Sequence, residues 1–231
     1  SLDPALREKT IQSLPRELRL GMDGNLRVRP LRELETLRHD LRVIEDLTVT
    51  PEEKNFGGIG RERILGMGGD AWELRMSVRR EEAERKRFGV RLFTDGKKEG
   101  LPITFQPASG TLRVGTTEAP FAVAELPEGE DVELTILIDR YLVEVFANDR
   151  IAMVAAHLEG TDLRGVDVFS WGAPTTFEKI EIWRMKSTTS GYDEAYQNRI
   201  WEPETGSSSE EAAFHSPPPN AEAVAVLATD P

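Results

Sequence analysis

The stretch Val132-Glu133-Leu134-Thr135-Ile136-Leu137-Ile138-Asp139, followed by Arg140-Tyr141-Leu142-Val143-Glu144-Val145-Phe146-Ala147, decides the fold. Val132, Leu134, Ile136 and Ile138 alternate with Glu133, Thr135, Leu137 and Asp139. A period of two lays one face of a strand on a core and turns the other away from it. Val143 and Val145 repeat the pattern across a tight strand connection. Working outward, Trp72, Leu74, Met76 and Val78 alternate with Glu73, Arg75, Ser77 and Arg79, and Ile180 and Ile182 alternate with Lys179 and Glu181. Shorter runs of the same kind are Leu18 with Leu20, Leu26 with Val28, Phe88 with Val90 and Leu92, and Leu112 with Val114.

Turn-forming residues separate these runs at short intervals. Asp23-Gly24-Asn25, Thr94-Asp95-Gly96, Ala108-Ser109-Gly110, Pro127-Glu128-Gly129 and Asn148-Asp149 each suit a hairpin or loop. Many short strands with little helical periodicity predict an all-β domain, an antiparallel sandwich or barrel. Two helical turns are also expected, one where Leu31, Leu34 and Leu37 recur every three residues and one in the charged run from Arg79 to Arg87. Composition changes after Ser187: residues 188–231 hold eight acids and one arginine, a net of −7 out of the chain's −12. So much Ser, Glu and Pro predicts a disordered acidic C-terminal tail, because little apolar surface is available to offset the entropy of ordering.

Composition bounds the function classes. A length of 231 residues is enough for a sizeable core. The net charge of −12 argues against nucleic acid as a partner. No apolar run approaches the ~20 residues of a spanning helix, so no membrane partner is expected. Ser1 to Glu8 lacks the basic and apolar regions of a signal peptide, which leaves secreted and cytoplasmic locations equally open. With no cysteine, disulfides, thiolate metal sites and cysteine nucleophiles are excluded.

Candidate chemistry is sparse. Asp139 and Glu144 flank the strand connection and could in principle form a carboxylate pair; the plainer expectation is that Asp139 caps the turn while Glu144 faces solvent or an arginine across the sheet. His39, His157 and His215 lack the spacing of a metal site. Gly57-Gly58-Ile59-Gly60 and Gly66-Met67-Gly68-Gly69 lack the lysine and βαβ context of phosphate loops, and read as strand connections. Catalytic residues, metal and cofactor are therefore all expected to be absent. Trp72, Trp171, Trp183 and Phe146 could stack on sugar rings, although aromatics in alternating strands more often fill a core or a domain interface. Trp171, beside Gly172-Ala173-Pro174, is the candidate for substrate binding.

An ordered set of phrases resembles the C-terminal module of glycoside hydrolase family 32. Leu14-Pro15-Arg16-Glu17-Leu18, Asp23-Gly24-Asn25-Leu26 and Pro30-Leu31-Arg32-Glu33-Leu34-Glu35-Thr36-Leu37-Arg38 open it. Trp72-Glu73-Leu74, Phe88-Gly89-Val90-Arg91-Leu92 and Ile138-Asp139-Arg140-Tyr141-Leu142-Val143-Glu144-Val145-Phe146-Ala147-Asn148-Asp149 continue it. Phe169-Ser170-Trp171 and Ile180-Glu181-Ile182-Trp183 close it. The resemblance covers roughly residues 11–186. Arg150 departs from it, standing where the family has glycine, so Asn148 or Asp149 is expected to carry the left-handed residue of that turn. Gly115-Thr116 replaces the family's Asp-Arg.

The resemblance implies a two-sheet β-sandwich, a concanavalin-like jelly roll, over 14–187, preceded by a linker (1–13) from a catalytic domain and followed by the 188–231 tail. It also implies a parent β-fructosidase (β-fructofuranosidase, inulinase or levanase) acting on sucrose or fructans. The catalytic carboxylates of such an enzyme sit on an N-terminal five-bladed propeller, in Asn-Asp-Pro-Asn, Arg-Asp-Pro and Glu-Cys motifs. None of those motifs occurs in this chain. The implied role is a non-catalytic module that stabilises the propeller, with a homodimer as a further implied assembly. The alternative is a stand-alone lectin-like module that binds fructan or another glycan.

Overall fold

The computed structural model describes residues 13–51, 58–64, 71–95, 100–157 and 165–187. The proposed tail, nearly all of the proposed linker, His215, and Gly57 and Gly66 to Gly69 of the glycine-rich stretches lie outside the described residues.

Fourteen strands are described, in chain order β1 (Arg16–Leu20), β2 (Leu26–Pro30), β3 (Arg38–Val49), β4 (Ile59–Ile64), β5 (Ala71–Val78), β6 (Arg87–Thr94) and β7 (Leu101–Gln106), then β8 (Thr111–Val114), β9 (Thr117–Pro120), β10 (Val132–Asp139), β11 (Leu142–Ala147), β12 (Ile151–Ala156), β13 (Gly165–Trp171) and β14 (Thr175–Met185). They build two six-stranded sheets, ordered β12-β11-β10-β5-β14-β3 and β4-β13-β6-β7-β8-β9, and a separate hairpin, β1-β2. Every strand pair is antiparallel. The chain passes between the sheets at β3–β4, β4–β5, β5–β6, β9–β10, β12–β13 and β13–β14. This is a two-sheet antiparallel sandwich of the jelly-roll class.

The inward phase of each alternating run fills the space between the sheets. Leu74 and Ile136 are opposed across β5 and β10, and both are wholly buried with Leu134, Val145, Val90 and Phe105. Phe88 stacks on Phe105 at 4.9 Å and meets Phe177 of the facing sheet edge-on at 6.3 Å. Burying a large apolar side chain is worth about 1.5–3 kcal/mol, so this continuous cluster is what holds the layers together.

Local expectations are met where local chemistry decides. The threefold leucine spacing forms a 3-10 helix over Arg32–Leu37, whose period is three, and the charged run supplies one α-turn, α1 (Arg80–Ala83). Gly24, Gly110 and Gly129 take positive φ in their turns. Between β11 and β12 both Asn148 (φ 45°) and Asp149 (φ 54°) are left-handed. Asn148 secures that turn by donating to the Asp131 carbonyl at 2.7 Å and accepting from the Glu133 N–H at 3.0 Å, which is how Arg150 is accommodated.

Candidate interdomain face

The first sheet has an outer face as well as an inner one, and its middle is not solvated. The outward row running across β14, β5, β10 and β11 reads Trp183, Glu73, Leu137 and Glu144 by strand register. Glu73, Leu137 and Glu144 are only 2%, 4% and 1% exposed. A carboxylate out of water needs a cation and hydrogen bonds, and the segment that enters the sandwich supplies both.

Arg38, at the start of β3, grips Glu73 in a two-pronged ion pair, with Nε and Nη2 each at 2.8 Å from a carboxylate oxygen. Arg75 Nε adds a third bond at 3.0 Å. The Arg38 guanidinium also lies 4.4 Å from the Trp183 ring centre. Glu35 bridges Arg75 and Arg38 at 3.0 and 3.2 Å; burial alone would raise its pKa, but the two arginines outweigh that and hold it low. At the other end of the row, Glu144 accepts the Leu14 backbone N–H and the Arg16 Nη2, both at 2.6 Å. Arg16 in turn lies over the Phe146 ring at 5.4 Å. Arginines from the entering segment thus close both buried glutamates.

The β1-β2 hairpin is bound to the sandwich at its base. The Val28 N–H donates to the Asp149 carbonyl at 2.7 Å, and the Leu31 N–H closes the hairpin's own base on the Pro15 carbonyl at 3.0 Å. Glu17 gathers Arg29 and Arg32 through bonds of 2.6 to 2.9 Å; first Arg29 and then Arg32 pull its pKa from 4.5 down to about 2. Farther out, the register places Leu18 opposite Val28 and Leu20 opposite Leu26. Leu18, Leu20 and Leu26 are 64%, 76% and 59% exposed, and Met22 at the tip is fully exposed. By register Leu18, Leu20 and Leu26 share one face of this small hairpin, with Met22 at its tip, and exposed apolar residues so grouped mark an interaction surface.

The residues singled out from sequence separate cleanly. Trp72 is a core residue, 1% exposed, and Trp183 and Phe146 lie under arginines. Trp171, at the end of β13, is partly exposed, with the Arg87 guanidinium 3.8 Å from its ring centre. Asp139 and Glu144 sit in different environments, one exposed and one buried. Asp139 is exposed and makes no turn-capping bond among the described residues, the left-handed position going instead to Arg140 (φ 56°). Glu144 is buried rather than solvent-facing, and its arginine comes from the hairpin rather than from across the sheet. His39 pairs with Asp40 at 3.1 Å, while His157 stacks on Phe93 at 5.2 Å. Reading by periodicity missed Glu73, Glu144 and Arg38. The available signal was Leu137, an apolar residue in the outward phase between two outward glutamates.

The fold and this face define an antiparallel β-sandwich whose entry segment is built into one sheet's outer surface. The comparisons then give the family. The model described as "Glycosyl hydrolases family 32 C terminal" matches residues 33–184, and the chain belongs to that family. It is 30% identical over 201 residues to the levanase of Bacillus subtilis (strain 168), covering 77% of this chain and 28% of the levanase. It is 29% identical over 151 residues to the raffinose invertase of Escherichia coli, covering 63% of this chain and 28% of that protein. The chain therefore spans less than a third of the curated relatives it matches. Among solved structures, the exo-inulinase of Aspergillus awamori shares the fold with a TM-score of 0.60 at 17% identity, over 77% of this chain and 36% of that one. Sucrose-6-phosphate hydrolase from Lactobacillus gasseri follows at 0.53 and 20%, over 74% and 33%.

Proposed function

We propose that this chain is the non-catalytic C-terminal module of a β-fructosidase acting on sucrose or fructans. Its sandwich, residues 14–187, docks an N-terminal five-bladed catalytic propeller through the exposed face of the β1-β2 hairpin. The observation that carries the proposal is Leu18, Leu20, Met22 and Leu26 standing in solvent on a hairpin whose base is pinned to the sandwich by Arg16–Glu144 and by the Val28 N–H on the Asp149 carbonyl. Membership of a C-terminal family and the short span relative to the relatives support it, as does the lack of all three catalytic motifs from the sequence. The Arg16–Glu144 ion pair and the backbone bond at the base hold the hairpin on the sandwich, so docking costs less further ordering entropy. Deprived of the propeller, the same face is available to a second copy, and the homodimer belongs to that state.

The test compares the parent propeller alone with the propeller plus this chain. The chain alone releases no fructose from sucrose, inulin or levan, and its addition raises the melting temperature of the propeller. Turnover by the rigorously purified chain, or an unchanged propeller, would refute the proposal.

A further inference from the structure

A second surface, on the other sheet, is separate from the docking face. The chain is strongly acidic, and arginines such as Arg16, Arg29, Arg38 and Arg150 are closed by carboxylates. Arg85, Lys86 and Arg87 are different. These three consecutive cations, running from the end of α1 into the start of β6, make no ion pair with any acid among the described residues, and together they form one wall of a depression of about 580 Å³. The turn between β7 and β8 forms the facing wall with Gln106 and Ser109, and Trp171-Gly172 forms the third side. Among the described residues no acid lines it. Its volume falls within the roughly 300–1,000 Å³ of small-molecule sites.

The walls are held in place. Trp171 is opposite Arg87 in the β13–β6 register, and the guanidinium lies 3.8 Å from the indole centre. Stacking uses the π-face of a guanidinium and leaves its in-plane N–H donors free for a planar or tetrahedral oxyanion. The turn after Trp171 is tied by Ser170, whose hydroxyl meets the Thr175 hydroxyl at 2.9 Å and the Ala173 carbonyl. A Cβ built on Gly172 (φ +78°) would lie 3.6 Å from the aliphatic stem of Lys86. Across the depression the Ser109 hydroxyl is 2.8 Å from that of Thr111.

We propose that this depression binds an anionic saccharide, a sugar ring bearing a carboxylate or phosphate. Arg87 and Lys86 take the oxyanion, Trp171 offers apolar surface to the ring's C–H groups, and Ser109 and Gln106 face its hydroxyls. The combination of uncompensated cations with one aromatic and two neutral polar side chains selects a charged sugar over a neutral one.

The test is calorimetric titration of the full chain, at low salt, with digalacturonate and with glucose 6-phosphate as the two sources of the oxyanion. Galactose and inorganic phosphate serve as controls. At least one acidic sugar binds saturably, inorganic phosphate binds about tenfold more weakly, and galactose gives no heat. Arg87→Gln weakens the acidic sugar about tenfold or more, and Arg87→Lys recovers part of the loss. Ser109→Ala, on the opposite turn, weakens it less and reports independently should the Arg87 variants fold poorly by circular dichroism. Absence of binding by both acidic sugars at millimolar concentration overturns the proposal. So does inorganic phosphate binding as tightly as the acidic sugars, or affinity untouched by all three substitutions.

Discussion

Replacing Glu144 by glutamine tests how the hairpin is held. The substitution keeps an acceptor for the Leu14 N–H but removes the charge that Arg16 reaches at 2.6 Å. Breaking a fully buried ion pair from one side costs about 3–5 kcal/mol, because the surviving charge is stranded. Glu144 is buried, but the Arg16 side chain is 25% exposed and water can rehydrate it. The expected cost is therefore smaller, about 2–3 kcal/mol. For a domain of roughly 150–250 residues each kcal/mol shifts the melting temperature by about 2–4 °C, giving a fall of roughly 4–12 °C. Scanning calorimetry measures that fall. Hydrogen exchange locates it, since the amides of Val28 and Leu31, bonded at the hairpin base, should lose protection before those of β10. The double variant Arg16→Met with Glu144→Gln strands no charge and keeps an acceptor for the Leu14 N–H, so it should melt closer to the wild-type temperature than Glu144→Gln alone. A single variant that melts within about a degree of wild type, with unchanged exchange at the hairpin base, would refute the reasoning.

Three further outcomes follow from particular residues. Ile136→Asp buries an unpaired carboxylate between Leu74 and Val145, at a cost of roughly 4 kcal/mol or more, and should abolish cooperative unfolding; Thr135→Asp, facing outward opposite Arg75, should change stability by under about 1 kcal/mol in urea titration. Gly89→Ala places a methyl 2.0 Å from the Ile103 carbonyl oxygen, a clash with backbone that cannot yield, so β6 and β7 must separate and the melt should lose its cooperativity or fall steeply. Glu17 has a folded pKa of about 2 against 4.5 unperturbed, from Arg29 and then Arg32. Its contribution is therefore complete above about 4.5 and is lost as pH falls toward 2. Glu17→Gln should flatten the urea-measured loss of stability across that window, and an equally steep loss in both chains would exclude Glu17 as a contributor.

The inner architecture was legible because it rests on local chemistry. Alternation in the Val132–Asp139 and Trp72–Arg79 runs placed the core face correctly, since one residue of slip would turn every apolar side chain outward. The left-handed Asn148 and Asp149 were legible from Arg150 standing in the glycine position. The buried carboxylates were not. A glutamate in the outward phase of a strand reads as solvated, and what buries Glu144 lies 130 residues away in sequence, at Leu14. Beyond the one apolar residue in the outward phase, Leu137, nothing in local periodicity reports that the entering segment folds back over the sheet. The aromatics show the same limit: Trp72, Trp183 and Trp171 all sit near strand termini or alternate with charges, yet one is core, one lies under two arginines and one stays at the surface.

The most direct measurement is calorimetric titration of the parent's separately expressed N-terminal domain with this chain, wild type and Leu18→Asp/Leu20→Asp. Both leucines are mostly exposed in the isolated module, so the double variant should keep the wild-type melting temperature. Burying each leucine in a docked complex is worth about 1–2 kcal/mol after allowing for the part already covered. The wild-type chain should associate at micromolar concentrations, and the double variant, lacking about 2–4 kcal/mol, should bind roughly 30- to 900-fold more weakly. Association that is unaffected by the two aspartates would move the docking face elsewhere on the sandwich, and no association with the wild-type chain would contradict the central claim.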